Sequence, residues 1–191
     1  MDDNINEFYY LNRNNIYIAK DGTLFRLMED FCDRYENVTM AGPQYKMFVP
    51  RKQKCPPFRL NTRISSCNLI RNDAPFRWRG RYNEDTDLSL RMLKAGYCTK
   101  EFYAYLQNKL TTQLIVGGNT DEFYAVEGTF NKSKMQVDLH PDVSRMVWKY
   151  NRMHHYVDYK RFKANKLKLR DDVIIPKKTP YKIVAEKAGT R

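Results

Sequence analysis

The sequence predicts one folded domain of the α/β class, with both strands and helices. Three observations support this class. The chain has 191 residues, its hydrophobic content is 42% with 14% aromatic residues, and stretches of strand composition alternate with stretches of helical spacing. That length suits one ordinary domain, and that apolar content is enough to bury a core. The alternation of the two periodicities indicates both strands and helices.

The first fifty residues predict strands on either side of a helix. Residues 8–19, FYYLNRNNIYIA, have the aromatic and β-branched composition of strands. A turn follows at Asp21-Gly22-Thr23, and a short amphipathic helix comes next because apolar residues recur at helical spacing, namely at Leu24, Leu27, Met28 and Phe31. Residues 38–50, VTMAGPQYKMFVP, predict a strand that is broken at Gly42-Pro43.

The middle of the chain predicts a basic loop, a strand and a second helix. Residues 51–59 follow Pro50 and contain two more prolines, which indicates a loop. Residues 58–70 alternate in the manner of a strand. Residues 87–95 place Leu88, Met92 and Ala95 on one helix face, and Gly96 supplies the left-handed residue that closes such a helix.

The last third predicts a strand at 113–116, glycine turns at 117–120 and Gly128, and a helix over 143–162. The helix rests on the apolar spacing of VSRMVWKYNRMHHYVDYKRF, with Val143, Met146, Val147 and Tyr150 on one side. The final 26 residues are rich in lysine and contain two prolines. We therefore divide the chain into a domain over 1–165 and a basic tail over 166–191.

The charge predicts a polyanionic partner. The chain carries 34 Lys and Arg against 22 Asp and Glu, a net charge of +12. Residues 51–81 hold nine basic residues and one acid, and residues 152–191 hold twelve and four. Nucleic acid is the first candidate partner. A basic surface that only keeps the protein soluble is the alternative.

The cysteines and the N-terminus indicate a cytoplasmic protein without a membrane segment. No CxxC pair occurs among Cys32, Cys55, Cys67 and Cys98, which argues against a zinc ribbon and predicts reduced thiols. The first residues, MDDNINEFYY, lack the basic start and apolar run of a signal peptide. No window approaches the ~18 apolar residues of a membrane helix.

The acids of NEDTD, residues 83–87, are the first catalytic candidates. Glu84, Asp85 and Asp87 fall at the start of the second predicted helix, where acids also cap free N–H groups without any catalytic role. The preceding FRWRGRY adds arginines 77, 79 and 81. Both the helix dipole and these arginines are expected to lower the pKa of a carboxylate there, as suits a base that takes a proton from a hydroxyl.

Two further pairs are candidate metal ligands. Asp2 and Asp3 are adjacent carboxylates, which can hold a hard cation such as Mg2+ or Mn2+. His154 and His155 are neighbours, and on a helix they would point about 100° apart, so that one could bind while the other packs. A solvated acid pair and an incidental histidine pair are the plainer alternatives.

Taken in order, these blocks resemble a known family. DDNI, LNTRISSCNLIRND, FRWRGRYNEDTDLSLRMLKAGYCT, GGNT, KSKMQVDLHPDV and RMHHYVDYKRF look like the TET-associated glycosyltransferases of tailed phages. The resemblance covers about residues 2–162, and NEDTDL and HHYVDY are its most specific parts.

The resemblance implies the C-terminal portion of a GT-A-like α/β fold, with a mixed sheet and flanking helices. It also implies a nucleotide-sugar donor and transfer to hydroxymethylated pyrimidines in phage DNA, within the cytoplasm of the infected host. Asp2 and Asp3 match its metal motif, for Mn2+ or Mg2+. Glu84 and Asp85 match the acidic motif in which one carboxylate deprotonates the acceptor. His154 or His155 matches the histidine that completes the metal or diphosphate site.

If the substrate is DNA, basic residues are expected to bind its phosphates and an aromatic ring to stack on an extruded base. The candidates are Arg51, Lys52, Lys54, Arg77, Trp78, Arg79 and Arg81. Buried rings and solvated arginines are the alternative reading of this set.

A GT-A enzyme usually has nucleotide-binding elements before its metal motif, whereas this chain begins at that motif. We therefore expect the N-terminal half to be missing from the chain or to be supplied separately. Two other functions stay open: a non-catalytic DNA-binding module, and a metal-dependent nuclease that uses Asp2, Glu84, Asp85 and a histidine.

Overall fold

The computed structural model describes residues 1–49, 55–79, 82–110 and 128–188, without the side chains of 128 and 129. The described strands are β1 Ile5–Asn12, β2 Asn15–Ala19, β3 Val38–Tyr45, β4 Phe58–Leu60, β5 Leu69–Ile70, β6 Cys98–Lys109, β7 Ser144–Lys149, β8 Arg152–Val157 and β9 Ala185–Lys187. The described helices are α1 Thr23–Cys32, α2 Glu84–Lys94 and α3 Gly128–Leu139, with 3-10 turns at Lys46–Phe48 and Tyr159–Ala164.

A mixed seven-stranded sheet with the order β5-β3-β6-β1-β2-β9 forms the centre of the fold, and β4 also pairs with β6. β6 is the long central strand. It lies parallel to β3 along one edge and antiparallel to β4 and β1 along the other. The predicted mixed α/β class with flanking helices is confirmed, while the finer GT-A assignment stays a prediction.

The two sheet faces bury different helices because side chains alternate along β3. Ala41 faces α1 and joins the core of Leu24 and Met28. Its neighbour Met40 faces α2 and joins the core of Leu88 and Met92. Both helices lie where apolar spacing predicted helices, and Gly96 has the expected positive φ of 87°.

The break predicted at Gly42-Pro43 is wrong, because β3 continues through both residues. A Cβ at Gly42 would lie 2.2 Å from the Cys67 carbonyl oxygen, so the glycine is needed for the close approach of the neighbouring loop. The pairing register with β6 shifts between Pro43 and Gln44, which accommodates the missing proline N–H.

The strand predicted over 58–70 is two short strands, β4 and β5, joined by a loop over 61–68. Asn61 and Ser66 have φ angles of 56° and 65°, which an extended strand does not allow. This loop runs alongside the start of α2 and carries several groups of the candidate site.

The helix predicted over 143–162 is wrong, because most of that segment forms the β7–β8 hairpin. Tyr150 and Asn151 both have positive φ, 51° and 57°, in a two-residue turn of the kind that matches strand twist. The hairpin packs against α3, which begins at Gly128, where the sequence had predicted a turn.

The remaining predictions concern residues 113–120, the cysteines, the C-terminal segment and membrane helices. The expected strand at 113–116 and the glycine turn at 117–120 lie outside the described residues. All four cysteines are free thiols, as predicted. In the segment over 166–191, the described part contributes β9, which pairs with β2. Among the described residues, no helix is long and apolar enough to cross a membrane.

Candidate active site

Ser66, in the loop before β5, joins two of the predicted site residues. The backbone N–H of Asp2 donates to the Ser66 carbonyl at 2.9 Å. The Ser66 N–H in turn donates to the Asp85 carboxylate at 3.0 Å. Two acids that are 83 positions apart in the sequence therefore lie on either side of one residue.

Asp85 is a partly buried carboxylate in the first turn of α2. Besides the Ser66 amide, it accepts a hydrogen bond of 2.7 Å from the Asn68 side chain. Burial raises its pKa, and the hydrogen bonds from Ser66 and Asn68 only partly offset this effect. The expectation that nearby arginines lower the pKa of this acid is therefore wrong. Glu84, beside it, is exposed.

Arginine lowers the pKa of a carboxylate of this motif at Asp87. Its side chain is 0% exposed, and it accepts a bidentate pair of hydrogen bonds from Arg79, at 3.0 Å from Nε and 3.0 Å from Nη2. His140 Nε2 lies 2.8 Å from the same carboxylate. Burial alone would raise the pKa of Asp87, but the hydrogen bonds from Arg79 and His140 lower it. Asp87 thus anchors α2 to two neighbouring segments.

Two arginines of the predicted DNA-binding set, Arg77 and Arg79, form hydrogen bonds within the fold. Arg79 is held by Asp87, and Arg77 donates to the backbone carbonyls of Asn72 at 2.8 Å and of Phe76 at 3.0 Å. Trp78 between them is 46% exposed. Arg81, Arg51, Lys52 and Lys54 lie outside the described residues.

Lys109 places a positive charge beside Asp2. Its ammonium forms an ion pair with the Asp2 carboxylate and lies 3.0 Å from the Ser66 hydroxyl oxygen. The Tyr45 hydroxyl completes this group at 2.5 Å from the same oxygen. Lys109 and Tyr45 were not predicted from the sequence, because each comes from a different strand of the sheet.

The two histidines lie on strand β8, where neighbouring side chains point to opposite faces. His154 Nε2 accepts a hydrogen bond of 3.1 Å from Arg152. His155 faces a cleft instead, and its pKa is lowered to about 4, first by burial and then by the charges of Arg63 and Lys132.

The predicted metal ligands do not fit a shared metal ion. Asp2 is paired with Lys109, Asp3 is exposed, and the two histidines diverge. Across residues 1–49, 55–79, 82–110 and 128–188, no three His, Cys, Asp or Glu side chains form a group that could hold a metal ion. The alternative nuclease centre would also need a shared metal ion, held by Asp2, Glu84, Asp85 and a histidine, and these residues form no such group among the described residues.

A polar cleft of about 280 Å³ borders this group of residues. Tyr45, Ser65 and Thr86 line it and connect it to Ser66 and Asp85. Its other side holds Glu101 of β6, whose pKa burial raises to about 7. Glu101 was not predicted from the sequence, although a glutamate within a partly apolar strand is a recognisable signal of a functional group.

A mixed α/β fold with a buried acid beside an open polar cleft is consistent with a glycosyltransferase. In a comparison with protein-family models, the model described as TET-Associated Glycosyltransferase matches residues 1–118 of the chain. The chain belongs to this family. The matched range contains Asp2, Asp85 and Glu101, and the β7–β8 hairpin lies beyond it. Neither the curated proteins nor the solved structures contain a match.

Proposed function

We propose that this protein transfers a sugar from a nucleotide-sugar donor to the hydroxyl of a hydroxymethylated pyrimidine in DNA, with Asp85 as the base. The observation that carries the proposal is the convergence of Asp2 and Asp85 on Ser66. The family supports the reaction type and the donor class. The acceptor is proposed from the resemblance to the family, and the net charge of +12 supports a nucleic-acid substrate.

In the proposed step, Asp85 accepts the proton of the acceptor hydroxyl. The hydroxyl oxygen forms a bond to the anomeric carbon, the bond between that carbon and the diphosphate oxygen breaks, and the nucleoside diphosphate leaves with the electron pair. A raised pKa makes Asp85 a stronger base than an ordinary aspartate. A single base suffices if the transfer inverts the anomeric centre.

The step as proposed uses no metal ion, because the predicted ligands do not converge. Lys109 forms an ion pair with Asp2 and holds this carboxylate beside Ser66. The cleft beside Tyr45 and Thr86 is the proposed place for the donor.

The β7–β8 hairpin supports DNA as the acceptor. Trp148 and Tyr150 are 68% and 76% exposed, so two large rings lie on the surface at the end of the hairpin. Lys149 lies 4.8 Å from the Tyr150 ring centre, and Arg145 lies 4.5 Å from the Tyr156 ring centre. Exposed rings interleaved with cations are suited to unstacked bases and their phosphates.

The test is transfer to DNA that contains hydroxymethylcytosine or hydroxymethyluracil. The protein is incubated with this DNA and a panel of nucleotide sugars, and the nucleosides are analysed by mass spectrometry. We expect a sugar-sized mass increase that Asp85→Asn lowers by about 10²–10⁴-fold, as loss of a general base does. Because burial already disfavours the charged form of Asp85, the neutral variant should fold.

Asp142→Asn is the matched control, because this acid forms an exposed ion pair with Lys94 far from the cleft. It should leave transfer unchanged. Unaltered transfer by Asp85→Asn would remove Asp85 from the mechanism. DNA binding without transfer from any donor would favour the alternative function, a non-catalytic DNA-binding module.

A further inference from the structure

Two residues that line the cleft carry buried polar atoms that no described residue satisfies. His155 Nδ1 and the Tyr159 hydroxyl are both buried and have no hydrogen-bond partner among the described residues. Both residues line the cleft. Buried polar atoms without partners are costly, so two of them in the wall of one cavity point to a polar ligand that reaches them when it binds.

Two arginines also line the cleft, Arg59 on β4 and Arg63 in the loop that follows. The Arg59 guanidinium lies 5.8 Å from the Tyr103 ring centre, and the charges of both arginines act on Glu101. In the part of the chain that the structure describes, neither guanidinium forms a side-chain hydrogen bond or an ion pair, in contrast to Arg77 and Arg79. Two guanidiniums with free N–H groups are well suited to the oxygens of a phosphoryl group.

Glu101 lies between these donors. It is opposite Arg59 in the pairing of β4 with β6, yet it makes no ion pair with it among the described residues. A charged glutamate would repel an anionic ligand in this cleft, whereas a protonated one would donate a further hydrogen bond to it. The cleft is therefore more complementary to an anion while Glu101 is neutral, because a charged Glu101 offsets part of the charge of Arg59 and Arg63.

We propose that this cleft binds a phosphoryl group through Arg59, Arg63, His155 and Tyr159, and that protonation of Glu101 controls its affinity. The phosphoryl group belongs either to the diphosphate of a nucleotide or to the backbone of a nucleic acid. Both sources rest on the proposed function, in which this cleft holds the donor and DNA is the acceptor, whereas binding of the phosphoryl group itself is measured without sugar transfer.

Glu101 is the group of this cleft that titrates near neutral pH, because burial raises its pKa to about 7. The titratable and charged groups that line the cleft with it come from β3, β4, the loop over 61–68, β8 and the turn after it, and are Tyr45, Arg59, Arg63, His155, Tyr156 and Tyr159. The pKa of His155 is lowered to about 4 and that of Tyr159 is raised by burial, so neither changes charge between pH 6 and pH 8.

The probe is sulfate, which is tetrahedral and keeps its double negative charge across this range. Binding is followed by the NMR signals of the His155 ring, which are assigned by their loss in His155→Gln. We expect saturable shifts of these signals. If sulfate binds only the form with neutral Glu101, its affinity is about tenfold weaker at pH 8 than at pH 6.

Two variants test the assignment, each with a control that makes the same chemical change elsewhere. Glu101→Gln should bind sulfate equally at both pH values, while Glu186→Gln, at an exposed ion pair on β9, should keep the pH dependence. Arg63→Gln should weaken binding at pH 6 by about tenfold or more, as loss of one charged hydrogen-bond donor does. The exposed Arg161→Gln should not.

Competition then identifies the source of the phosphoryl group. Displacement of sulfate by UDP-glucose indicates a nucleotide diphosphate, and displacement by a short oligothymidylate indicates a nucleic-acid backbone. The proposal is overturned if sulfate leaves the His155 signals unchanged at both pH values, if neither competitor displaces it, or if Glu101→Gln keeps the pH dependence. None of these readouts depends on sugar transfer.

Discussion

Asp85 and Asp87 lie two positions apart in the first turn of α2 and meet opposite surroundings. Asp85 accepts hydrogen bonds from neutral amides, and burial keeps its pKa raised. Asp87 accepts them from Arg79 and His140, which lower its pKa. The first arrangement favours proton uptake and the second favours a fixed charge, so neighbouring acids of one motif serve chemistry and stability separately.

Asp87→Asn is expected to destabilise the fold. The amide would present two donor hydrogens to Arg79 and His140, which already donate to this position, and buried donors would lose their acceptor. We expect a loss of about 3 kcal/mol in the free energy of unfolding, measured by urea denaturation.

Asp142→Asn serves as the control for this measurement as well. Its ion pair with Lys94 is exposed, so the change should be within about 1 kcal/mol. Equal losses in the two variants would mean that the buried cluster around Asp87 contributes no more than a surface pair.

At the scale of elements, α1 and α2 were predictable, whereas α3 and the hairpin were not. α1 and α2 have apolar residues at helical spacing and turn signals at their ends. In β7–β8, Val143, Met146 and Val147 satisfy helical spacing by chance, and the turn at Tyr150-Asn151 contains no glycine to reveal it. Because the hairpin was read as a helix, the opposite orientations of His154 and His155 were also missed.

The candidate site was predictable only in part for a related reason. Asp2 and Asp85 were selected by their match to family motifs, and each lies in a recognisable local pattern. The cleft is assembled from several segments, so the nearness of Glu101, Arg63 and His155 depends on strand pairing that no local pattern encodes.

The hairpin yields a prediction about DNA binding. Trp148→Ala and Tyr150→Asn should each weaken binding of single-stranded DNA, by about 1–3 kcal/mol for each stacked base, measured by fluorescence anisotropy. Asparagine is chosen at position 150 because it tolerates the positive φ of the turn.

Trp78→Ala is the comparison, since Trp78 is an exposed ring of the segment that the sequence had favoured for DNA binding. Its effect should be smaller, because the neighbouring Arg77 and Arg79 are engaged inside the fold. A large effect at Trp78 together with none in the hairpin would assign the DNA surface to residues 76–82 instead.

At the scale of the whole molecule, two buried ionisable groups lie next to each other in the central strand. Lys100 is 0% exposed and faces α1, with its ammonium 3.6 Å from the Phe58 ring centre, and burial lowers its pKa to about 7. Glu101 faces the cleft on the other side, and burial raises its pKa to about 7. Their effects on stability therefore occupy different pH ranges.

Proton linkage determines whether each group makes stability rise or fall with pH. With Glu101 neutral, the folded state binds more protons than the unfolded state between about pH 4.5 and pH 7, so stability falls as the pH rises through this range. With Lys100 neutral, the folded state binds fewer protons between about pH 7 and pH 10.5, so stability rises with pH there. Together the two groups contribute least to stability near pH 7.

Urea denaturation at pH 5, 7 and 9 tests this minimum, with each variant compared with the wild type at the same pH. The gain in unfolding free energy from Glu101→Gln over the wild type should be larger at pH 7 than at pH 5, by about 1–3 kcal/mol. The gain from Lys100→Met should be larger at pH 7 than at pH 9, by a similar amount. The aromatic rings around Lys100 favour its charged form and should keep its effect toward the lower end of that range. A gain that is the same at all three pH values would show that neither group titrates in the folded protein as its burial requires.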